Sequence, residues 1–174
     1  MLILAFCLFT FQIIHAQKVM KLQKYFVEYT VKNAGINSKG RFDNITTNVV
    51  FDENMLDKSS ISATIQTNSF NSGITMRDNH LKDKDYFDVK TYPTITLIST
   101  KIVKSGNGYL GTFNLTIKNV TKSVQLPFSV IKNGSTLDFK TTELSIDRTA
   151  YGVGGSSFTL SNTVRISINA TFIN

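Results

Sequence analysis

The side chains that could do chemistry are few, and most of them sit together. Arg77, Asp78 and His80 fall on one short segment, with Asp85 and Asp88 close behind. Two carboxylates beside a histidine are the raw material of general acid–base catalysis, and an arginine at a pocket mouth could meet a polar headgroup. The set stops short of a catalytic centre. Outside residues 1–16 the chain has one histidine, His80, and no cysteine, which excludes two-histidine and thiolate metal sites. No serine lies in a Gly-x-Ser-x-Gly elbow, so a Ser-His-Asp system would have to be assembled around His80 from unplaced partners. The plainer reading is structural: His80 buttresses a short helix, and an Arg-Asp pair from this group locks that helix in place. We assign no catalytic residue, no metal and no cofactor.

Asp147 and Arg148 form the second candidate group, followed by Thr-Ala-Tyr-Gly-Val-Gly-Gly over residues 149–155. A phosphate loop would need a Lys-Ser/Thr after the glycines and a helix beginning there. Neither is present, so the glycines read as a wide turn before the last strand. Arg148 is either a mouth residue or half of a structural ion pair.

Positioning these residues falls to β-strands. Tyr109, Gly111, Phe113, Leu115 and Ile117 recur with a period of two, as do Val124, Leu126, Phe128 and Val130. Val164, Ile166, Ile168, Ala170 and Phe172 repeat the pattern, and Ile61, Ala63 and Ile65 form a shorter set. Each series is the mark of a strand with one buried and one wet face. Asn107-Gly108 and Asn133-Gly134 predict tight hairpins of type I′, and residues 118–121 another short turn. Residues 74–88 are charged and break the alternation, which predicts a short helix or two turns, with Thr75 or Asp78 as the cap. The predicted architecture is all-β: a meander of about eight or nine strands closed into an antiparallel barrel, with a short helical cap.

Composition narrows the function classes. The 174-residue chain is 41% hydrophobic and 18% charged, which suits one folded domain. Residues 1–16 carry no Lys, Arg, Asp or Glu and are too short an apolar run for a bilayer span of roughly 20 residues. They read as a secretory signal peptide, leaving 17–174 as the exported domain, periplasmic or secreted. The formal net charge is +7, all of it outside that segment, and it favours transient contact with an anionic membrane surface. The lysines are scattered rather than interleaved with aromatics, which argues against nucleic acid.

Three blocks also resemble a known family. Arg77-Asp78-Asn79-His80-Leu81 with Asp85-Tyr86-Phe87-Asp88 and Tyr92-Pro93-Thr94-Ile95-Thr96 is similar to the central signature of the YceI-like family. Residues 111–122 resemble its second block and residues 147–153 its third, in the right order. The resemblance implies a lipocalin-like barrel, exported in many Gram-negative bacteria, that holds a polyisoprenoid chain or similar amphiphile without catalysis. The sequence departs from the pattern at Gln23-Lys24-Tyr25-Phe26, at Ala150 and at Lys118-Asn119. A long-chain isoprenoid or quinone-like lipid is therefore the expected partner. Its tail would lie among Phe113, Leu115, Ile117, Leu126, Phe128, Ile166 and Ile168, with Arg77, His80 and Arg148 at the opening. A homodimer is left open. A solid barrel acting as a protein-interaction module, or an enzyme acting on the bound lipid, are the rival classes.

Overall fold

The computed structural model describes residues 18–173; the signal-peptide reading of 1–16 lies outside them. Eleven strands and one α-helix follow in order: β1 (Lys21–Asn33), β2 (Ile36–Phe42), β3 (Ile45–Val50), β4 (Ser60–Gln66), β5 (Phe70–Asn71), α1 (Thr75–Lys82), β6 (Thr94–Ser105), β7 (Gly108–Ile117), β8 (Val120–Asn133), β9 (Thr136–Thr141), β10 (Leu144–Asp147) and β11 (Leu160–Ile173). The excess over the expected strand number comes from short pieces such as the two-residue β5 and four-residue β10.

All pairings in the named strands are antiparallel, and the sheet order is β3-β4-β6-β7-β8-β9-β11-β1-β2-β5, with β10 also on β11. The expected closed barrel is not what forms. The ladder ends at β3 on one side and β5 on the other, so the sheet is open. One isolated bridge, Met20 to Val49, ties the approach to β1 onto β3. The cause is local. After Asp43 the chain leaves β2 to start β3, and β2 is left with only the two pairs Arg41–Asn71 and Phe42–Phe70 to β5.

The hairpins form where expected, in a different turn chemistry. β6 and β7 are joined by Gly106-Asn107, and β8 and β9 by Gly134-Ser135. Gly106 and Gly134 carry φ of 54° and 60°, the first-position glycine of a type II′ turn. Gly108 is needed for another reason: a Cβ there would sit 2.6 Å from the Phe128 carbonyl oxygen. The type I′ pattern, with both central φ positive, appears instead at Ala34-Gly35 (49° and 81°) between β1 and β2.

The inward faces make two apolar clusters. One holds Phe42, Phe70, Ile95, Leu97, Phe113 and Leu115 with their neighbours. Phe113 is only 2% exposed, and Gly111 makes room for it, since a Cβ there would lie 2.2 Å from the Phe113 ring. The other is an aromatic plug in which Tyr109, Phe128 and Phe139 stack in series, with Phe172 edge-on to Phe139 at 5.3 Å between centroids. Each fully buried large side chain here contributes roughly 1.5–3 kcal/mol.

Helix α1 has eight residues, too few to persist without tertiary support. The expected cap by Thr75 or Asp78 does not form: Ile74 holds the N-cap position with no side-chain bond. Asp78 instead accepts the Ser72 backbone N–H at 2.9 Å and the Ser72 hydroxyl. The helix is thus pinned to the strand-to-helix turn rather than capped on its own first turn.

Candidate functional site

Beneath α1 the first cluster is not filled. A cavity of about 240 Å³ remains between β1, β6, β7, β10, β11 and the cap. Its wall is built by alternation: Val27, Tyr29 and Val31 from β1 face Leu115 and Ile117 from β7, with Ile166 and Ile168 of β11 beside them. Leu81, Tyr86 and Phe87 roof it. No Asp or Glu lines the cavity. Asn33 and His80 line it while being exposed themselves, and they mark where it opens.

Four of the seven residues expected around a tail, Leu115, Ile117, Ile166 and Ile168, line this space. Phe113 and Leu126 belong to the surrounding cluster without lining the cavity, and Phe128 lies in the plug. Alternation assigned all seven to the correct face but could not rank them along the strand axis. The sequence reading also passed over the β1 residues Val27, Tyr29 and Val31, although their period-two spacing was available as a signal.

Arg77, His80 and Arg148 all reach the cavity, each held differently. The Arg77 guanidinium donates from Nε to Ser72 Oγ (2.8 Å), from Nη2 to the Ser72 carbonyl (3.0 Å) and from Nη1 to Ser38 Oγ on β2 (2.5 Å). In place of the expected Arg-Asp pair, Arg77 and Asp78 share a grip on Ser72, and the Arg77–Ser38 bond ties α1 to β2. His80 packs edge-on against Tyr86 at 4.8 Å between ring centroids.

Arg148 is 5% exposed and is neither free at the mouth nor in an ion pair. Its side chain donates to the carbonyls of Ser161 (2.9 Å), Val153 (2.8 Å) and Gly155 (2.9 Å), with longer contacts to Leu160 and Asn162. It therefore cross-links the glycine-rich turn to the start of β11. Gly154 admits it: at φ +66°, a Cβ there would lie 2.7 Å from Arg148 Nη1 and 2.8 Å from the Tyr86 ring. Lys118 Nζ, from a turn residue with φ of 54°, donates to the Gly152 carbonyl of that glycine-rich turn at 3.0 Å.

Burial pushes the Tyr29 hydroxyl up to about 12, an effect opposed by the nearby Arg77 charge and reinforced by Asp78. Tyr29 is thus neutral at neutral pH, a hydroxyl on a mostly apolar wall. Gly40 on β2 leaves the space for its ring, since a Cβ there would lie 2.4 Å from it. Among the described residues no group of three or more His, Cys, Asp or Glu side chains is placed to hold a metal ion. With no carboxylate on the wall and the Arg77 guanidinium committed to serines, the arrangement suits burial of an apolar chain.

The family model described as YceI-like domain matches residues 19–172. A UPF0312 protein from Pectobacterium atrosepticum is 34% identical over 113 residues, 64% of this chain and 59% of that protein. The chain thus spans less than two thirds of that relative's length. The crystal structure of Burkholderia cenocepacia BcnA is similar with a TM-score of 0.82 and 31% identity, covering 87% of this chain and 99% of that one. A polyisoprenoid binding domain from Saccharophagus degradans, at 16% identity, shares the fold with a TM-score of 0.68 over 89% of this chain and 97% of its own.

Proposed function

The chain belongs to the YceI-like domain family, and from that premise we propose that it is an exported lipid-binding protein holding a polyisoprenoid or quinone-like tail beneath α1, as a carrier or store. The lipid is bound and left chemically unchanged. The observation that carries this reading is the unfilled, apolar cavity itself. A sheet meant only as a rigid interaction surface has no need of unfilled space, because packing density in protein interiors is otherwise close to crystalline. The description of the Saccharophagus degradans neighbour as a polyisoprenoid binding domain supports the choice of ligand class.

Size bears on how the ligand sits. At about 240 Å³ the cavity is slightly smaller than the roughly 300–1,000 Å³ of ordinary ligand pockets. A long tail would enter by its end and emerge between α1 and the β1–β2 turn, or displace α1, whose few hydrogen-bond anchors run through Ser72 and Ser38. Each buried CH₂ contributes roughly 0.8 kcal/mol, so burial supplies affinity without charged contacts. Native mass spectrometry of the purified protein, followed by lipid extraction, tests the reading. Recovery of a bound prenyl-chain lipid is the expected result. Protein that is always empty, and that takes up no polyprenol or quinone when offered, overturns it.

A further inference from the structure

Of the eight large apolar side chains exposed among the described residues, four gather at one place, while Val19, Phe26, Ile98 and Ile131 lie on other segments. Ile36 is 74% exposed, Ile74 53%, Met76 83% and Phe158 fully exposed. All four stand next to residues at the opening of the cavity. Ile36 follows the Ala34-Gly35 turn, three residues from the lining Asn33. Ile74 and Met76 flank the first residue of α1, and the next residue, Arg77, reaches across to Ser38 on β2. Phe158 precedes Thr159, whose carbonyl accepts the Ala34 N–H at 2.8 Å, so the loop before β11 lies against the β1–β2 turn. Three separate segments therefore bring exposed Ile, Met and Phe to one rim.

Each leaves at least half of its surface in solvent. The charge at the rim is one-sided as well. Residues 32–39, 72–77 and 155–159 contain Lys32, Lys39 and Arg77 and no acidic residue. Glu28 lies outside these segments and pairs with Lys39 at 2.8 Å; Asp78 is turned back onto Ser72. Lys32 is exposed. An apolar tip with basic surroundings, on a chain of net charge +7, is complementary to the interface of an anionic bilayer, where apolar side chains enter the acyl boundary and lysines meet the headgroups.

We propose that this rim docks on an anionic lipid bilayer, seating the cavity opening at the membrane surface so that a lipid tail passes between bilayer and protein without crossing water. The use made of the docked state rests on the lipid-binding reading above; the docking itself rests on the rim residues. Co-flotation with vesicles of phosphatidylcholine, with and without phosphatidylglycerol, tests it on the full domain. Wild-type protein is expected to float with the anionic vesicles, less with the neutral ones, and less as salt rises. The variant Ile36→Ser/Met76→Ser/Phe158→Ser should lose at least about tenfold in partitioning while keeping its melting curve, because the changed side chains are exposed. Lys32→Glu should weaken binding to the anionic vesicles alone.

Two failures are distinguishable. If wild-type protein carries lipid yet ignores vesicles, or the triple variant floats unchanged, docking is wrong and the lipid-binding reading stands. If protein without any bound or acceptable lipid still floats through this rim, docking stands and the ligand reading falls. Concentration-dependent self-association that disappears in the triple variant, with no vesicle binding, would assign the rim to a second copy of the chain and overturn the proposal.

Discussion

Replacing Arg148 with Met separates the two roles that an arginine beside a cavity can have. The substitution keeps most of the aliphatic stem and removes a guanidinium that is 5% exposed. Three hydrogen bonds of 2.8–2.9 Å, to the carbonyls of Ser161, Val153 and Gly155, are lost outright. Bonds to a charged partner contribute about 1.5–3 kcal/mol each, which sums to several kcal/mol. Against this stands the relief of keeping an ion out of water, itself several kcal/mol. The turn also lies close enough to solvent for water to reach the Gly155 side, since that residue is exposed. The net expectation is a loss of about 3–5 kcal/mol, large beside the roughly 5–15 kcal/mol of a typical domain. For a chain of this size that is a fall in Tm of about 10 °C. Urea unfolding followed by circular dichroism measures it, with an unchanged slope showing that the same surface is exposed on unfolding. Arg148→Lys should recover only part of the loss, because an ammonium cannot span carbonyls on both sides of the guanidinium fork. A stability change below about 1 kcal/mol, accompanied by loss of bound lipid, would refute the structural role and return Arg148 to the mouth as a ligand contact.

Two further outcomes follow from the cavity and from the end of β2. Ile166→Trp places a larger ring into the space between Tyr29 and Leu144, the residues paired with Ile166 on either side. Extracted lipid per protein should fall at least about tenfold while stability shifts by no more than about 1–3 kcal/mol; undiminished lipid content would show that the ligand lies elsewhere. Asp43 accepts from Asn71 Nδ2 at 2.8 Å and from Arg41 Nε at 2.6 Å, and the Asn71 bond, helped by Arg41, holds its carboxyl below the ordinary 3.8. A carboxyl with a depressed folded-state pKa stabilises the fold above its unfolded pKa and loses that contribution as pH falls through the folded value. Asp43→Asn should therefore cost less than about 1 kcal/mol at neutral pH, the side chain being 44% exposed and screened. The gap between variant and parent should narrow below about pH 4, and a gap that stays constant with pH would dispose of the electrostatic account.

The family match spans residues 19–172, and the residues that carry it are legible for physical reasons. Alternation is a local property: successive side chains of an extended chain must point to opposite faces, so Phe113, Leu115 and Ile117 had to turn inward together whatever lay opposite. The charged segment at residues 74–88 likewise could not continue a half-buried strand, and α1 forms inside it. Glycine supplied the turns, though the pattern chosen was Gly-Asn and Gly-Ser rather than Asn-Gly, because Gly106 and Gly134 could take the positive φ at the first central position.

What the amino-acid order could not contain was how far apart the walls stand. Phe128 and Ile166 read alike as inward-facing apolar residues, yet one stacks in an aromatic plug and the other borders an empty space. That difference depends on the side chains arriving from across the sheet, Tyr109 and Phe139 in one case and Tyr29 in the other. Closure of the sheet was equally out of reach, since it turns on whether the β3 edge meets a full ladder or only the single Met20–Val49 bridge. Arg148 shows the same limit for a single residue. Its type and neighbours allowed a mouth or an ion pair, and only the folded glycine turn, curling its carbonyls around the guanidinium, made it a clasp. Local order sets which way a side chain faces; the distance to the opposite wall sets whether it fills, lines or holds.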